Sequence, residues 1–86
     1  MPYRVELHRS ALEVLASLPD KARRLIARKI DALALEPRPR GSKALEGKHR
    51  GLHRVRSGEY RIVYRVEDDR LLVLVLRVGL RRDVYR

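Results

Sequence analysis

Residues 52–64 read LHRVRSGEYRIVY, with apolar and polar side chains alternating on both sides of Ser57–Glu59. A period of two indicates a β-strand that buries one of its faces, and a Gly-containing break between two such runs favours a tight antiparallel hairpin. We therefore predict two paired strands. On the second strand, Tyr60, Ile62 and Tyr64 are expected to face the core.

The same alternation puts arginines on the other side of this hairpin. Arg54 and Arg56 lie on the first strand, and Arg61 and Arg65 lie on the second. Because successive side chains of a strand point to opposite faces of a sheet, we expect these guanidinium groups to line one face. A solvated sheet face in an Arg-rich protein is the simpler interpretation, and the pattern alone leaves both open.

Two helices are predicted before the hairpin. Residues 3–8 alternate like a strand, and Ser10–Glu13 forms a capping box that predicts a helix over residues 11–17. Asp20 can cap a second helix, whose apolar stripe recurs at three- and four-residue spacing. That helix must end before Pro37, because proline cannot continue it.

The rest of the chain completes an α+β pattern. Residues 38–51 are interpreted as a connecting loop with a short turn at Ala44-Leu45. Residues 71–78 are nearly all aliphatic, which predicts a central strand that Gly79 ends, and residues 83–85 form a short closing segment. We expect a single domain over residues 1–86. Its N-terminal strand and helical hairpin precede three to four mostly antiparallel strands, in a curved sheet with the helices on one face.

Composition limits the classes of function. The 86 residues carry a formal net charge of +10, and 17 of the 21 basic residues are arginines, which grip phosphate or carboxylate bidentately. An anionic partner is therefore expected. With no cysteine there is no disulfide, no thiolate metal site and no Cys nucleophile. The sequence shows neither a membrane span nor a signal peptide, so we expect a soluble, cytoplasmic protein.

Positive charge is densest between Arg38 and Arg56, where Lys43 and Lys48 are candidate contacts to phosphate or carboxylate groups. Nucleic acid, an acidic protein partner, or both are the expected counter-surfaces. Arg82 is a further candidate near the carboxyl end, and Tyr85 beside it could stack on a nucleobase.

The three histidines are His8, His49 and His53. Their spacing matches no metal motif, so no metal site is expected. His49 lies in the basic loop and could act as an acid or base near neutral pH. His53 is expected on the core side of its strand.

Two motifs give the chain a family resemblance. Residues 56–64 read R-x-G-x-Y-R-I-x-Y, and residues 78–85 read V-G-x-R-x-x-V-Y. Together with the preceding strand and helical hairpin, they resemble the RelE branch of the RelE/ParE superfamily of bacterial and archaeal toxins. The resemblance covers essentially the whole chain.

The resemblance implies a toxin of a type II toxin–antitoxin system. Such toxins cleave messenger RNA in the ribosomal A site without a metal or other cofactor, by attack of a ribose 2′-hydroxyl on the adjacent phosphate. On the matching positions, Arg61 would stabilise the developing charge and Arg81 would lie at the leaving group. Arg54 and Arg56 would bind the phosphate, and Tyr85 would stack on the base.

The chain departs from the family at the position of the general base. Relatives often carry lysines on the first hairpin strand, where this sequence has Leu52 and Arg54, and an arginine is a poor base because its pKa lies above about 12. Lys48, His49 and His53 are the nearest substitutes.

Two other functions stay open. A ParE-like inhibitor of DNA gyrase shares the fold without catalytic residues, and a degenerate module could bind RNA or antitoxin without cutting. The implied partners are a cognate antitoxin, possibly in a hetero-oligomer with the toxin, and the ribosome with its message.

Overall fold

The computed structural model describes residues 2–80, which form two helices and a five-stranded mixed sheet. Single 3₁₀ turns cover Gly47–His49 and Asp68–Arg70. The elements in chain order are β1 (Arg4–Leu7), α1 (Arg9–Ser17), α2 (Asp20–Leu33), β2 (Lys43–Ala44), β3 (His53–Ser57), β4 (Tyr60–Glu67) and β5 (Leu72–Leu80).

The strands lie side by side in the order β1-β5-β4-β3-β2. β1 is parallel to β5, and every other neighbouring pair is antiparallel. β5 is an interior strand, as its aliphatic sequence predicts. The predicted fold class is confirmed, a helical hairpin on one face of a mostly antiparallel sheet. Within residues 2–80, neither helix is long and apolar enough to cross a membrane.

The core lies between the helices and one side of the sheet, called here the helix face; the other side is the far face. α2 contributes Ile26, Ile30 and Leu33, which are at most 4% exposed. The sheet contributes a matching row of side chains: Val55, Ile62, Tyr64, Val73, Val75 and Val78. Burial of this stripe, rather than helix propensity, fixes the helices on the sheet.

The helix starts differ from the predictions. α1 begins at Arg9 with His8 as its N-cap, whose Nδ1 accepts a hydrogen bond from the Ser10 N–H at 3.2 Å. The Ser10 hydroxyl instead donates to the Leu76 carbonyl at 3.1 Å, so the predicted capping box is wrong. The Asp20 cap is also wrong. Asp20 is the first residue of α2, and its carboxylate pairs with Arg23.

The segment between α2 and β3 is more ordered than the predicted loop. The expected turn at Ala44-Leu45 is instead the end of strand β2, where Lys43 pairs with Arg54 and Ala44 with His53. After it, the Leu45 N–H donates to the Leu52 carbonyl at 2.8 Å. A two-residue strand carries too few side chains to show an alternation in sequence.

The β3–β4 hairpin closes with a two-residue loop rather than the expected three. Ser57 pairs with Tyr60, and Gly58 takes the left-handed φ of 62° that a tight hairpin turn with glycine in its first position requires. Gly79 does not end β5, because it is paired with Arg61 inside the ladder and the strand runs to Leu80.

An ion-pair cluster fastens the segment after α2 to the sheet. The Arg38 guanidinium donates to both carboxylate oxygens of Asp68, at 3.1 and 2.8 Å, and the Tyr3 hydroxyl donates to the same carboxylate at 2.5 Å. These hydrogen bonds stabilise the ionised carboxylate and lower the pKa of Asp68 from 3.8 to about 2.

We expect the stability of the protein to depend on this carboxylate in acid. Because the folded pKa lies below the ordinary one, the contribution is complete above the ordinary pKa of 3.8 and is lost as pH falls through about 2. Urea unfolding midpoints of wild type and Asp68→Asn should differ at pH 5, and the difference should shrink as pH falls towards 2 and vanish below it. A difference that stays constant over this range would contradict the assignment.

Candidate functional site

The far face carries two cross-strand rows of cationic side chains. In one row Arg56 pairs with Arg61, which pairs with Gly79; in the other, Lys43 pairs with Arg54. The second row continues through Val63 to Arg77 on β5. The predicted grouping of Arg54, Arg56 and Arg61 on one face is therefore present in the sheet register.

Like charges oppose each other directly in both rows. Side chains of paired residues lie about 5 Å apart at Cβ, and like charges at such positions destabilise a sheet. Nevertheless Arg56 stands opposite Arg61, and Lys43 stands opposite Arg54. The repulsion would be relieved by an anion bound between them. We call these four side chains the far-face cluster.

Arg61 is the most enclosed member of this cluster. It is 7% exposed, and it is the one buried charged side chain within residues 2–80. Its Nε has no hydrogen-bond partner in that part of the chain. A buried cation without a counter-charge is costly, whereas the same cation is well prepared for an incoming phosphate. Gly79 leaves the neighbouring position on β5 without a side chain.

The acidic residues of the far face lie at its other end. There Arg65 and Arg70 both pair with Glu67, at 3.0 and 3.1 Å, and Arg4 pairs with Glu6 at 2.9 Å. Over residues 2–80 no ion pair includes a member of the far-face cluster. The face is therefore divided into a neutralised end and an uncompensated cationic end.

The three acid–base candidates lie outside the two rows of the far face. His53 faces the helix side, as expected, and its ring stacks on Tyr64 with centroids 5.7 Å apart. Burial lowers the pKa of His53, and Arg38 lowers it further. His53 therefore lies on the helix face, and the sheet separates it from Arg61 on the far face. Lys48 and His49 instead lie in the 3₁₀ turn Gly47–His49, four residues before β3 begins.

Arg81, Arg82 and Tyr85 lie outside the described residues, so their predicted roles stay predictions. The sequence pattern did not predict a further cation on the far face, Arg77. Arg77 reaches the far face through a β-bulge, since Val63 pairs with Arg77 but Tyr64 pairs with Val75. Sequence alternation would have placed Arg77 on the same face as Val75.

The chain matches known toxins along nearly its whole length. A family model described as the ParE toxin of type II toxin–antitoxin systems matches residues 5–85. Toxin RelG of Mycobacterium tuberculosis is 36% identical over 90 residues, which cover 100% of this chain and 99% of that protein. Toxin RelE of the same organism is 31% identical over 99% of this chain and 88% of that protein.

Two solved structures share the fold closely. A chain of the toxin–antitoxin complex RelBE2 from Mycobacterium tuberculosis superposes with a TM-score of 0.84 at 32% identity, covering 94% of this chain and 100% of that chain. A chain of the RelE–RelB complex from Pyrococcus horikoshii gives a TM-score of 0.82 at 33% identity, with 98% and 100% coverage.

Proposed function

Because this chain belongs to the RelE/ParE family of type II toxins, as a RelE-like member, we propose that it stops translation by cleaving ribosome-bound messenger RNA. The observation that carries this proposal is the enclosed Arg61, which faces Arg56 across the hairpin with no described acidic residue paired to either. Such an arrangement suits an anion that becomes more negative during reaction.

The proposed reaction needs little beyond oriented cations. The 2′-oxygen of a ribose attacks the adjacent phosphorus while the bond from phosphorus to the 5′-oxygen breaks, leaving a 2′,3′-cyclic phosphate and a 5′-hydroxyl. Negative charge builds up on the phosphate oxygens in the transition state. Guanidinium groups fixed in advance stabilise that charge and hold the attacking and leaving oxygens in line.

Each described residue would have its own role in the cleavage reaction. Arg61 would stabilise the transition state because it is buried and its position is set by the ladder. Arg54 and Arg56 would bind the scissile phosphate from β3, with Lys43 beside them on β2. The attacking hydroxyl must lose a proton, and Lys48 and His49, in the 3₁₀ turn before β3, are the described candidates to accept it.

The residues beyond the described part complete the proposal on family grounds. Arg81 would lie at the leaving oxygen and neutralise its charge while that oxygen takes up a proton from water, Arg82 would contact the RNA backbone, and Tyr85 would stack on the base. Since the target is a ribosome, the protein would act in the cytoplasm.

An antitoxin is proposed as the regulatory partner. The two structural relatives above were solved as toxin–antitoxin complexes. A cationic chain of this kind would be neutralised by an acidic or amphipathic antitoxin segment covering the far-face cluster.

We expect the wild-type protein to cut a message only when it is bound to ribosomes. Purified protein would be added to programmed ribosomes and the message mapped by primer extension, with the same RNA lacking ribosomes as the control. The upstream fragment should end in a 2′,3′-cyclic phosphate. An intact message on ribosomes that are demonstrably translating would contradict the proposal.

Inhibition of DNA gyrase is the second candidate, because the matching family model is described as the ParE toxin. A supercoiling assay with purified gyrase separates the two. Supercoiling blocked by this protein, together with an intact message on ribosomes, would favour the ParE-like function.

A further inference from the structure

A second cationic site lies at the edge of the sheet where β2 ends. It is a cleft of about 320 Å³ between α2, the segment after α2, and β3. We call it the edge cleft. Its cationic lining comes from Lys29 on α2, Arg40 and Lys43 before and on β2, and Arg54 and Arg56 on β3. Lys29 and Arg40 belong to no motif of the sequence.

The backbone holds Arg40 in place before any ligand arrives. The Ser42 N–H donates to the Pro39 carbonyl at 3.0 Å, which closes a four-residue turn around Arg40 and Gly41. Gly41 has a φ of 93°, the left-handed conformation that the third position of a type II turn requires. Tyr64 anchors the start of this segment, because its hydroxyl donates to the Pro37 carbonyl at 2.7 Å.

Lys29 is positioned by the core. It lies on the same helix as Ile26 and Ile30, which are 0% and 4% exposed and fix α2 against the sheet. The cleft is therefore built by three elements whose relative positions are set by packing, so its backbone needs little rearrangement to bind.

The charge of the edge cleft is uncompensated. No acidic residue lines it, and within residues 2–80 none of its five cations is in an ion pair. A concave surface lined by charges of one sign concentrates its field on a bound counter-ion.

The lining favours a phosphate backbone over an acidic peptide. Its one apolar side chain is Val55, which is 2% exposed and offers no surface to a peptide anchor. The neighbouring cleft along α2 differs, because it includes Leu25, which is 45% exposed. Peptides gain most of their affinity from buried apolar or aromatic anchors, whereas phosphates need only cations and N–H donors.

We propose that the edge cleft is a second phosphate-binding site, which holds the RNA backbone beside the far-face cluster. The inference rests on the proposed function. Arg54 and Arg56 border both surfaces, so a strand bound at Arg61 would continue around the edge of β3, where β2 no longer covers it, towards Lys29 and Arg40. The phosphate belongs either to the message or to ribosomal RNA.

The test compares two double variants with the same loss of charge. Lys29→Gln/Arg40→Gln removes the two cations of the edge cleft that are not on strands β2 or β3 and so do not belong to the far-face cluster. Arg9→Gln/Arg24→Gln removes two exposed cations that do not line it. Both are compared with wild type in binding to labelled oligouridylate, to ribosomes without message and, as an acidic polypeptide, to polyglutamate, over a range of salt concentrations. Circular dichroism confirms that each variant is folded.

We expect Lys29→Gln/Arg40→Gln to bind RNA about tenfold more weakly than wild type. The slope of log K against log salt should become shallower by about 0.7 for each phosphate of a single strand that the variant no longer neutralises, so by about 1.4 for both substitutions. The Arg9→Gln/Arg24→Gln variant should keep the wild-type slope. Weakening on oligouridylate assigns the cleft to the message; weakening on ribosomes alone assigns it to ribosomal RNA.

Equal slopes for the two double variants on both probes would overturn the proposal. So would a loss of affinity for polyglutamate without a loss for either RNA, since that result assigns the cleft to an acidic protein. The proposed function fails separately: if the message stays intact on ribosomes but Lys29→Gln/Arg40→Gln still loses RNA affinity, the cleft stands and cleavage does not.

Discussion

Arg61→Ala is expected to lower the rate of ribosome-dependent message cleavage by about 10²–10³-fold, the usual cost of removing one preorganised group that stabilises charge in a transition state. The reason is its enclosed position. At 7% exposure, Arg61 is shielded from water, so its charge acts on a phosphate through a medium of low dielectric constant. Single-turnover cleavage on programmed ribosomes measures the effect.

Arg65→Ala is the matched control. Arg65 lies four residues along the same strand, on the same face of the sheet, but its exposed guanidinium pairs with Glu67 at 3.0 Å. Its removal should leave cleavage close to wild type. If Arg61→Ala and Arg65→Ala cut at the same rate, the role assigned to Arg61 is wrong.

Arg61→Lys separates charge from shape. Lysine keeps the positive charge but loses the planar fork that binds two phosphate oxygens at once. We expect a rate between those of wild type and Arg61→Ala. Thermal unfolding of wild type, Arg61→Lys and Arg61→Ala separates a folding defect from a loss of transition-state stabilisation.

Much of the far-face cluster was predictable because a hairpin has a simple geometry. The alternation over residues 52–64 puts Arg54, Arg56 and Arg61 on one side once the apolar residues of both strands face the core. The same rule gives the core side of Tyr64. These predictions depend only on the local sequence pattern and on the pairing of two adjacent strands, and the hairpin in the structure has that pairing.

The β-bulge in β5 shows where this reasoning stops. Without it, Arg77 would share a face with Val75 and Val78 would point away from the helices. The bulge reverses both, which keeps Val78 in the core and puts Arg77 on the far face. Between Val75 and Arg77, the sequence of β5 contains no proline or glycine from which the bulge could have been predicted.

The edge cleft could not be predicted from the sequence for a different reason. Lys29 and Arg40 are distant in sequence from Arg56, and they meet it only because α2 packs on the sheet and the turn at Gly41 brings the chain back. The N-cap of α1 was missed similarly: Ser10 can cap a helix, but in the fold its hydroxyl bonds to β5 and His8 takes over. Tertiary interactions decide such competitions.

Tyr64→Ala is expected to cost about 3–5 kcal/mol in the free energy of unfolding, a typical loss for a large buried aromatic side chain. Tyr64 is 0% exposed, the largest of the fully buried side chains described, and its ring stacks on His53 at 5.7 Å. Since small domains have only about 5–15 kcal/mol in total, the melting temperature should fall by about 15 °C or more.

Tyr64→Phe keeps the ring and tests the hydroxyl alone. It removes the 2.7 Å hydrogen bond to the Pro37 carbonyl, which should cost about 1 kcal/mol and lower the melting temperature by about 4–8 °C. Because that bond anchors the segment carrying Arg40, Tyr64→Phe should also weaken RNA binding at the edge cleft while the protein stays folded. Urea unfolding followed by circular dichroism gives the two free energies. If Tyr64→Ala unfolds at the same urea concentration as Tyr64→Phe, then the ring adds nothing beyond its hydroxyl, and the core around Tyr64 is not packed as described.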